Sequence, residues 1–328
     1  MQLLKQLFRR KDQSSEFGTT GGRWGLRVIL GLIVLVVLAG LVVMILNYRF
    51  PRFFDLDAGH KKQGVLFTET LIKITEEMTS NWLPNDKVWP TICLDNPQNF
   101  QLGQLEAVRY TVRVMRDKLS RLRTTDKIDP DTEAAFVFFS NDPFKWVLPS
   151  AESKFKAGVR SLKSYNDRLL VDQASFHPRA DNLIDLLDQY LSLLGGINTR
   201  LSLAPKRHGQ VLSQETAGDA YTQGEKLIQA KVPWTQIDDN FYYARGAAYV
   251  IREMMLAARQ EFKHILEVKK AHELVDRIIL VLDDSQFEPL IVLNGDFGSV
   301  LANHSLQLQS VLEDARQKMG SLLSMLTS

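Results

Sequence analysis

The sequence lacks most of the residues that would indicate cross-linking or common enzymatic chemistry. Its only cysteine is Cys93, so no intramolecular disulfide can form and the fold must be stabilised by packing. The thiol lies in the apolar stretch 89–94, which predicts that it is buried and unreactive. The chain has no G-x-S-x-G, no glycine-rich phosphate loop and no H-E-x-x-H. We therefore predict no enzymatic activity and no cofactor.

A strong net charge is also missing. The 40 basic and 38 acidic side chains give a net charge of +2. Residues 1–27 carry six basic and two acidic side chains, which leaves a net charge of −2 for the remainder. That balance argues against nucleic acid as a partner.

The chain does contain one long apolar run, residues 28–46, with nineteen uncharged positions. At about 1.5 Å per residue a helix over this run covers about 28 Å, close to the roughly 30 Å of a hydrocarbon core. The alternative is a cleaved signal peptide. However, 27 residues precede the run, it is longer than a usual signal core, and residues 47–50 offer no small-residue cleavage site. The run therefore predicts a retained transmembrane helix.

The flanking charges predict the orientation and the domain boundaries. The basic arm before the run predicts a cytoplasmic N-terminus and an exported C-terminal part, although Arg49 and Arg52 weaken the asymmetry. The predicted segments are a cytoplasmic arm 1–27, a transmembrane helix 28–46, a connector 47–62 and a periplasmic helical domain 63–328. Aromatic residues predicted to form belts at the two membrane interfaces are Trp24, Tyr48, Phe50, Phe53 and Phe54.

After residue 62 the apolar residues recur with helical spacing nearly everywhere, and alternating strand patterns are scarce. Helix starts are predicted at Asn96 followed by Pro97, at Asp129 followed by Pro130, and at Ser150, and Gly195-Gly196 is a predicted stop. We predict an all-α fold, with one N-terminal transmembrane helix followed by an elongated multi-helix bundle with long coiled-coil-like helices.

The longest predicted helix runs from a capping box at 235–238 towards Pro289, which corresponds to roughly 70 Å or more. Its apolar residues alternate in steps of four and three, the spacing of a coiled-coil seam. Lys269 and His272 fall on that seam and predict a bend or stutter. Small residues at 244 and 246–248 would let a neighbouring helix approach closely. The apolar run 289–295 is either a short buried strand or an extended connector.

Two groups of residues are candidates for binding. A row of basic side chains at 109–123 either binds an anionic partner or forms a solvated face balanced by acids of a neighbouring helix. Aromatic residues and an arginine at 242–245 either shape a ligand pocket or belong to the core. The predicted interaction face consists of Arg109, Arg113, Arg116, Tyr242, Tyr243 and Arg245.

Polar clusters elsewhere favour structural roles. Glu261 and His264 have the spacing of a metal-ligand pair, but no second such pair exists in the sequence, so a surface ion pair is the favoured interpretation and no metal site is predicted. A second cluster is predicted to tie the connector to the last helix as a polar network. It consists of Asn294, Asp296, Asn303 and His304.

Several short segments together resemble a known family. They are the residues at 82–86, 94–97 with 100–101, 146–150, 241–246, and 293–295 with 302–304. The chain resembles an uncharacterised family of bacterial inner-membrane proteins with a domain of unknown function. The resemblance implies a bacterial envelope setting and a single-pass anchor, but no reaction, ligand or partner.

These observations favour a scaffold or assembly protein that acts in the periplasm by contact. The predicted partners are the lipid bilayer and either another envelope protein or a second copy of the chain. The alternative is a periplasmic ligand-binding sensory domain that signals through a partner, because the short arm is too small to be an output domain. A hydrolase that uses Asp296 and His304 is the third and least favoured hypothesis.

Overall fold

The computed structural model describes residues 19–55, 59, 62–123, 125–202, 236–289, 291–293 and 303–328. This part of the chain is helical and contains no β-strand, which confirms the all-α prediction. Its helices are α1 (Thr19–Asn47), α2 (Val65–Ser80), α3 (Asp95–Val114), α4 (Pro130–Phe139), α5 (Ala151–Leu170), α6 (Ala180–Ser202), α7 (Ile237–Glu261), α8 (Lys263–Val268), α9 (His272–Asp284) and α10 (His304–Thr327).

Helix α1 contains the apolar run. The segment Trp24–Asn47 is long and apolar enough to cross a membrane, and only 6% of its most apolar stretch is buried. A helix in the core of a soluble domain would bury its apolar side chains, whereas this one presents them outward. The length and the composition of α1 therefore agree with the predicted span.

Helix α7 lies at the centre of the domain and packs against α2, α3, α6, α9 and α10. Nearly every residue from Phe241 to Ala258 is buried, including those off the predicted seam such as Val250 and Met254. A coiled-coil helix buries a narrow stripe, whereas a helix buried all round is the core of a larger bundle. The coiled-coil character predicted for this helix is not confirmed.

Helices α3 and α7 approach each other through two glycines. A Cβ atom on Gly103 would lie 1.9 Å from the carbonyl oxygen of Tyr243, and one on Gly246 would lie 1.9 Å from that of Phe100. Each glycine therefore contacts the backbone of the other helix. The prediction that small residues near 246 admit a neighbouring helix is confirmed.

Two predicted helix starts are confirmed by their caps. The Asp129 carboxylate accepts hydrogen bonds from the backbone N–H groups of Asp131 and Thr132 at the start of α4. The Ser150 hydroxyl accepts one from the N–H of Ser153 in α5. These local bonds satisfy donors that a helix start leaves unpaired.

Two other boundaries differ from the predictions. Helix α3 begins at Asp95, and Asn96 does not cap it but donates its side-chain amide to the Tyr48 hydroxyl at 3.2 Å. Helix α6 continues through Gly195 and Gly196, because each glycine costs only about 1 kcal/mol and the flanking leucine and isoleucine side chains pack against α10.

The predicted single helix from 235 to 289 is interrupted twice. The chain bends near Lys269, as predicted, but it also breaks at Phe262, which was not predicted. Phe262 is buried, and Lys270 adopts a positive φ of 53° between α8 and α9. Turning the chain at these points lets α9 pack back on α7, so burial outweighs the continuation of one helix.

Candidate ligand site between the apolar helix and the domain

The segment 48–54 leaves the end of α1 and packs on α7 through paired aromatic rings. Phe50 stacks on Tyr242 with centroids 5.4 Å apart, and Phe53 stacks on Tyr249 at 5.9 Å. The Tyr249 hydroxyl donates to the carbonyl oxygen of Arg52 at 3.3 Å. The aromatic residues after α1 were predicted to lie in a membrane belt, but Phe50 and Phe53 are part of the packing between the segment and the domain.

A cleft of about 1400 Å³ opens beside this segment. Its walls are the segment itself, the C-terminal half of α2, the first turns of α3, the middle of α7 and the residues after α9. Sites for small molecules usually enclose roughly 300–1,000 Å³, so the volume is ample for one. We call it the junction cleft, because it lies where the apolar helix meets the domain.

Arg245 lies on a wall of the junction cleft and is only 3% exposed. Its Nη2 atom donates to the carbonyl oxygen of Gln286 at 3.1 Å and lies 3.9 Å from Glu288. Its Nε and Nη1 atoms have no hydrogen-bond partner among the described residues. Burial lowers the pKa of Arg245, but arginine stays charged in proteins, so the site holds a buried cation with two unused donors.

Aromatic rings surround the same guanidinium group. Its central carbon lies 5.0 Å from the ring centroid of Phe50, 5.5 Å from that of Tyr242 and 5.9 Å from that of Phe100. Cation–π contacts of this kind partly replace the lost hydration of the charge. These contacts do not use the N–H groups of Nε and Nη1, which keep their capacity to donate hydrogen bonds.

A second side chain with an unused donor lines the junction cleft. Gln104 of α3 is 2% exposed, and its Nε2 atom has no partner among the residues that the structure describes. Gln104 and Arg245 line the same cleft because each lies next to a glycine of the close contact between α3 and α7. Gly103 precedes Gln104, and Gly246 follows Arg245. Two buried side chains thus bring unpaired N–H donors to one cleft.

Other charged groups line the cleft in near balance. Arg49, Arg52 and Lys73 add positive charge, whereas Glu76, Glu77 and Glu288 add negative charge. Burial raises the pKa of Glu77 above its ordinary value. The buried wall around Arg245 is therefore the part of the cleft best suited to an anion.

Of the three arginines of the predicted interaction face, Arg109 and Arg113 lie on α3, and Arg116 lies in the π-helical turn Met115–Leu119 that follows it. Arg109 donates to the carbonyl oxygens of Phe139 at 2.8 Å and Asn141 at 2.7 Å, so it binds the C-terminal end of α4. Arg113 and Arg116 place their guanidinium groups over the ring of Phe136.

Acidic residues of neighbouring helices balance the same basic row. Arg116 lies 3.5 Å from Glu133 of α4, and Lys118 lies 2.9 Å from Asp185 of α6. These two ion pairs support the interpretation of the row as a face balanced by acids of neighbouring helices. Tyr243 is partly buried towards Arg200, and burial raises its pKa to about 12. The six predicted residues therefore lie in separate places, and among them Arg245 lines the junction cleft, with the Tyr242 ring beside its guanidinium group.

The polar clusters have structural contacts. Asn294 and Asp296 lie outside the described residues. Asn303 accepts a hydrogen bond from the N–H of Leu306 and so caps α10, and His304 accepts one from the N–H of Leu293 through Nδ1. The predicted link between the segment 289–295 and the last helix is therefore present at Leu293 and His304.

Glu261 has a role that its spacing to His264 did not predict. Its carboxylate accepts hydrogen bonds from the N–H groups of Gly64 at 2.9 Å, Leu66 at 3.0 Å and Phe67 at 3.3 Å. It thereby caps α2 from a distant helix, in place of the predicted surface ion pair.

Cys93 is exposed, so the prediction of a buried thiol was wrong. Within the described ranges no cluster of three or more His, Cys, Asp or Glu side chains suits a metal ion.

The fold and the site define an all-α domain that follows one helix able to cross a membrane and has a cleft at the junction. The chain belongs to the DUF2333 family of uncharacterised proteins conserved in bacteria, whose model matches residues 20–328. This confirms the resemblance that the short segments indicated. No match was found among curated proteins or among solved structures.

Sequence reasoning named Arg245 and Tyr242 but missed Gln104, Tyr249 and Gln286. Gln104 is a polar residue next to a buried apolar stripe, which is a weak signal. Tyr249 and Gln286 meet Arg52 and Arg245 only through the tertiary fold.

Proposed function

We propose that this protein is a membrane-anchored ligand-binding protein that holds the anionic group of a small molecule in the junction cleft. The observation that carries the proposal is the buried Arg245, whose Nε and Nη1 atoms are unpaired among the described residues. A buried donor without a hydrogen-bond partner is costly and is usually satisfied by a bound group. A ligand carboxylate or phosphate is a suitable partner, because both accept short, charge-assisted hydrogen bonds from arginine N–H groups.

The surroundings favour a ligand that also has an apolar part. Phe50 and Phe100 lie beside the guanidinium group, and Met78 and Leu83 line the same cleft. Ligand sites of this type combine apolar walls with a few polar groups that fix orientation. The unpaired amide of Gln104 would add a second, neutral donor to the anion.

The position of the cleft supports a sensory role. One wall is the segment 48–54, which continues directly from α1 and packs on α7 through Phe50 and Phe53. A ligand that contacts both the segment 48–54 and α7 binds with a different affinity when the segment shifts relative to α7. By linkage, binding must then bias the position of α1, which a partner in the membrane can detect.

The proposal also includes the cellular placement. Residues 28–46 would span the bacterial inner membrane, with the basic arm in the cytoplasm and the helical domain in the periplasm. The length and outward-facing apolar side chains of α1 support the span. The scaffold role and its protein partner stay predictions, and no observation favours them over ligand binding.

The test is a thermal unfolding series with the full chain in lipid nanodiscs. The probes are inorganic phosphate, octyl phosphate and octanoate, so that anion type and apolar part are varied separately. We expect octyl phosphate or octanoate to raise the melting temperature in a saturable manner. A ligand at roughly 100 times its Kd contributes about 2.7 kcal/mol.

Two arginine variants of α7 separate binding from structure. Arg245→Met should abolish the ligand shift and raise the stability of the ligand-free protein, because it removes a buried charge with unpaired donors. Arg259 on the same helix is the matched control, since it pairs with Asp276 and does not line the cleft. Arg259→Met should change stability by at most about 1 kcal/mol and keep the ligand shift. Equal ligand shifts in wild type and Arg245→Met, or no shift with any probe, would contradict the proposal.

A further inference from the structure

Two loops of the domain expose a set of large apolar side chains. Each of these side chains is at least 48% exposed, and that of Leu148 is 94% exposed. Soluble surfaces seldom group so many large apolar residues without a partner. We call this set the tryptophan surface, and it consists of Val88, Trp89, Ile92, Phe144, Trp146, Val147 and Leu148.

The two loops form one unit because their bases are tied together. The Trp82 indole N–H donates to the carbonyl oxygen of Pro143 at 3.0 Å, and the Asn85 side chain donates to that of Lys145 at 3.1 Å. Trp82 and Asn85 are themselves buried. The exposed residues at the tips are therefore held on a fixed base.

The first loop runs back along α1. At its base, the Asn81 side chain donates to the side-chain oxygen of Asn47, the last residue of α1, at 2.6 Å. At its tip, the Trp89 ring lies against Gly40, where an added Cβ atom would be 2.0 Å from the ring. Seven residues of helix separate these two contacts, which corresponds to about 10 Å along α1.

On the basis of the membrane span proposed above for α1, we infer that the tryptophan surface inserts into the same lipid bilayer, so that two loops hold the domain at the membrane as well as its anchor. Gly40 lies inside the apolar run 28–46, so a ring beside it lies at the depth of lipid. Tryptophan is enriched at membrane interfaces because it combines a large apolar ring with one N–H donor.

The charges of the loops indicate which force drives insertion. Lys87 and Lys145 are balanced by Asp86 and Asp142, so the loops carry no net charge. Attraction to anionic head groups is then weak, and burial of apolar area is the main driving force. The insertion should accordingly depend little on salt or on the proportion of anionic lipid.

The inference is tested by spin-label depth measurements on the full chain in nanodiscs. Cys93→Ser removes the only native cysteine, and Val147→Cys then places a label on the tryptophan surface. The control is Val268→Cys, since Val268 is 66% exposed and Val147 is 69% exposed. Val268 lies shortly after the C-terminal end of α7, where Glu261 caps α2. The N-terminal end of α7 is the end near the membrane, because Tyr242 there contacts Tyr48, which directly follows α1.

We expect the label at 147 to be accessible to oxygen and protected from a water-soluble nickel chelate, and the label at 268 to show the reverse. Nickel accessibility at 147 equal to that at 268 would overturn the inference. Protection from both reagents at 147 would also overturn it, because it would indicate a protein partner. Adding Arg245→Met should leave the depth unchanged, so this inference and the ligand proposal can fail separately.

Discussion

Glu253 on α7 carries a carboxylate that the fold buries completely. Its side chain is 0% exposed, and one oxygen accepts a hydrogen bond from Arg252 at 3.1 Å. The Oε2 atom has no partner among the described residues, while Asp283 shares the same arginine. Burial, with a smaller contribution from the nearby Asp283, raises the pKa of Glu253 from its ordinary value of 4.5 to about 7, against the lowering effects of Arg252 and of the Phe54 backbone.

The raised pKa predicts a loss of stability as the pH rises. Between pH 4.5 and about 7 the folded state binds a proton that the unfolded state has released, so stability falls with increasing pH across this window. In Glu253→Gln this loss is absent, and the variant should gain up to roughly 3 kcal/mol relative to wild type between pH 4.5 and 8. Thermal unfolding of both proteins across this range measures the effect.

The matched control for Glu253→Gln is Glu273→Gln on α9. The Glu273 side chain is 79% exposed and pairs with Arg277 at i, i+4. Its replacement should change stability by a few tenths of a kcal/mol. A stability difference between Glu253→Gln and wild type that does not vary with pH would show that the buried carboxylate does not titrate in this window.

The contact between α3 and α7 depends on glycine at two positions. A Cβ atom on Gly103 or Gly246 would collide with a backbone carbonyl, which cannot rotate away as a side chain can. Gly103→Ala and Gly246→Ala should each lower the free energy of unfolding by at least about 2 kcal/mol, because the helices must separate. Chemical denaturation in detergent micelles measures the loss.

Gly196→Ala in α6 is the control for these helix substitutions. A Cβ atom there has no described neighbour within 4 Å, so alanine should stabilise the helix by about 0.5–1 kcal/mol. If Gly103→Ala were as stable as Gly196→Ala, the close approach of α3 and α7 would be wrong.

Helix boundaries show which parts of an element can be predicted locally. The starts of α4 and α5 were predicted because Asp129 and Ser150 cap donors two or three residues away. The break at Phe262 and the continuation through Gly195 were missed, because both depend on packing against distant helices.

At the scale of the whole molecule, the aromatic pairs of Phe50 and Phe53 hold α1 to the domain. Each pair contributes about 0.5–1.5 kcal/mol, and Arg252 adds a cation–π contact 4.1 Å from the Phe53 centroid. Phe50→Ala combined with Phe53→Ala should release the segment 48–54. We expect trypsin cleavage after Arg49 and Arg52 to become at least roughly tenfold faster, since cleavage follows the population of locally open chain.

Leu280→Ala on α9 is the control for this proteolysis experiment. Leu280 is 62% exposed, so its truncation should leave the cleavage rate unchanged. Gel analysis of the full chain in nanodiscs, with sequencing of the new N-terminus, measures the rate at each site. An unchanged rate in the double variant would mean that the segment is held by other contacts.

The sequence by itself determined the features that depend on near neighbours. Apolar spacing predicted the helices, the uncharged run predicted a helix of membrane-spanning length, and caps at Asp129 and Ser150 predicted two helix starts. The tertiary structure alone decided that Arg245 and Gln104 share a cleft and that Glu261 caps α2. These contacts join residues more than a hundred positions apart, and their energies depend on burial and on partners that only the folded chain brings together.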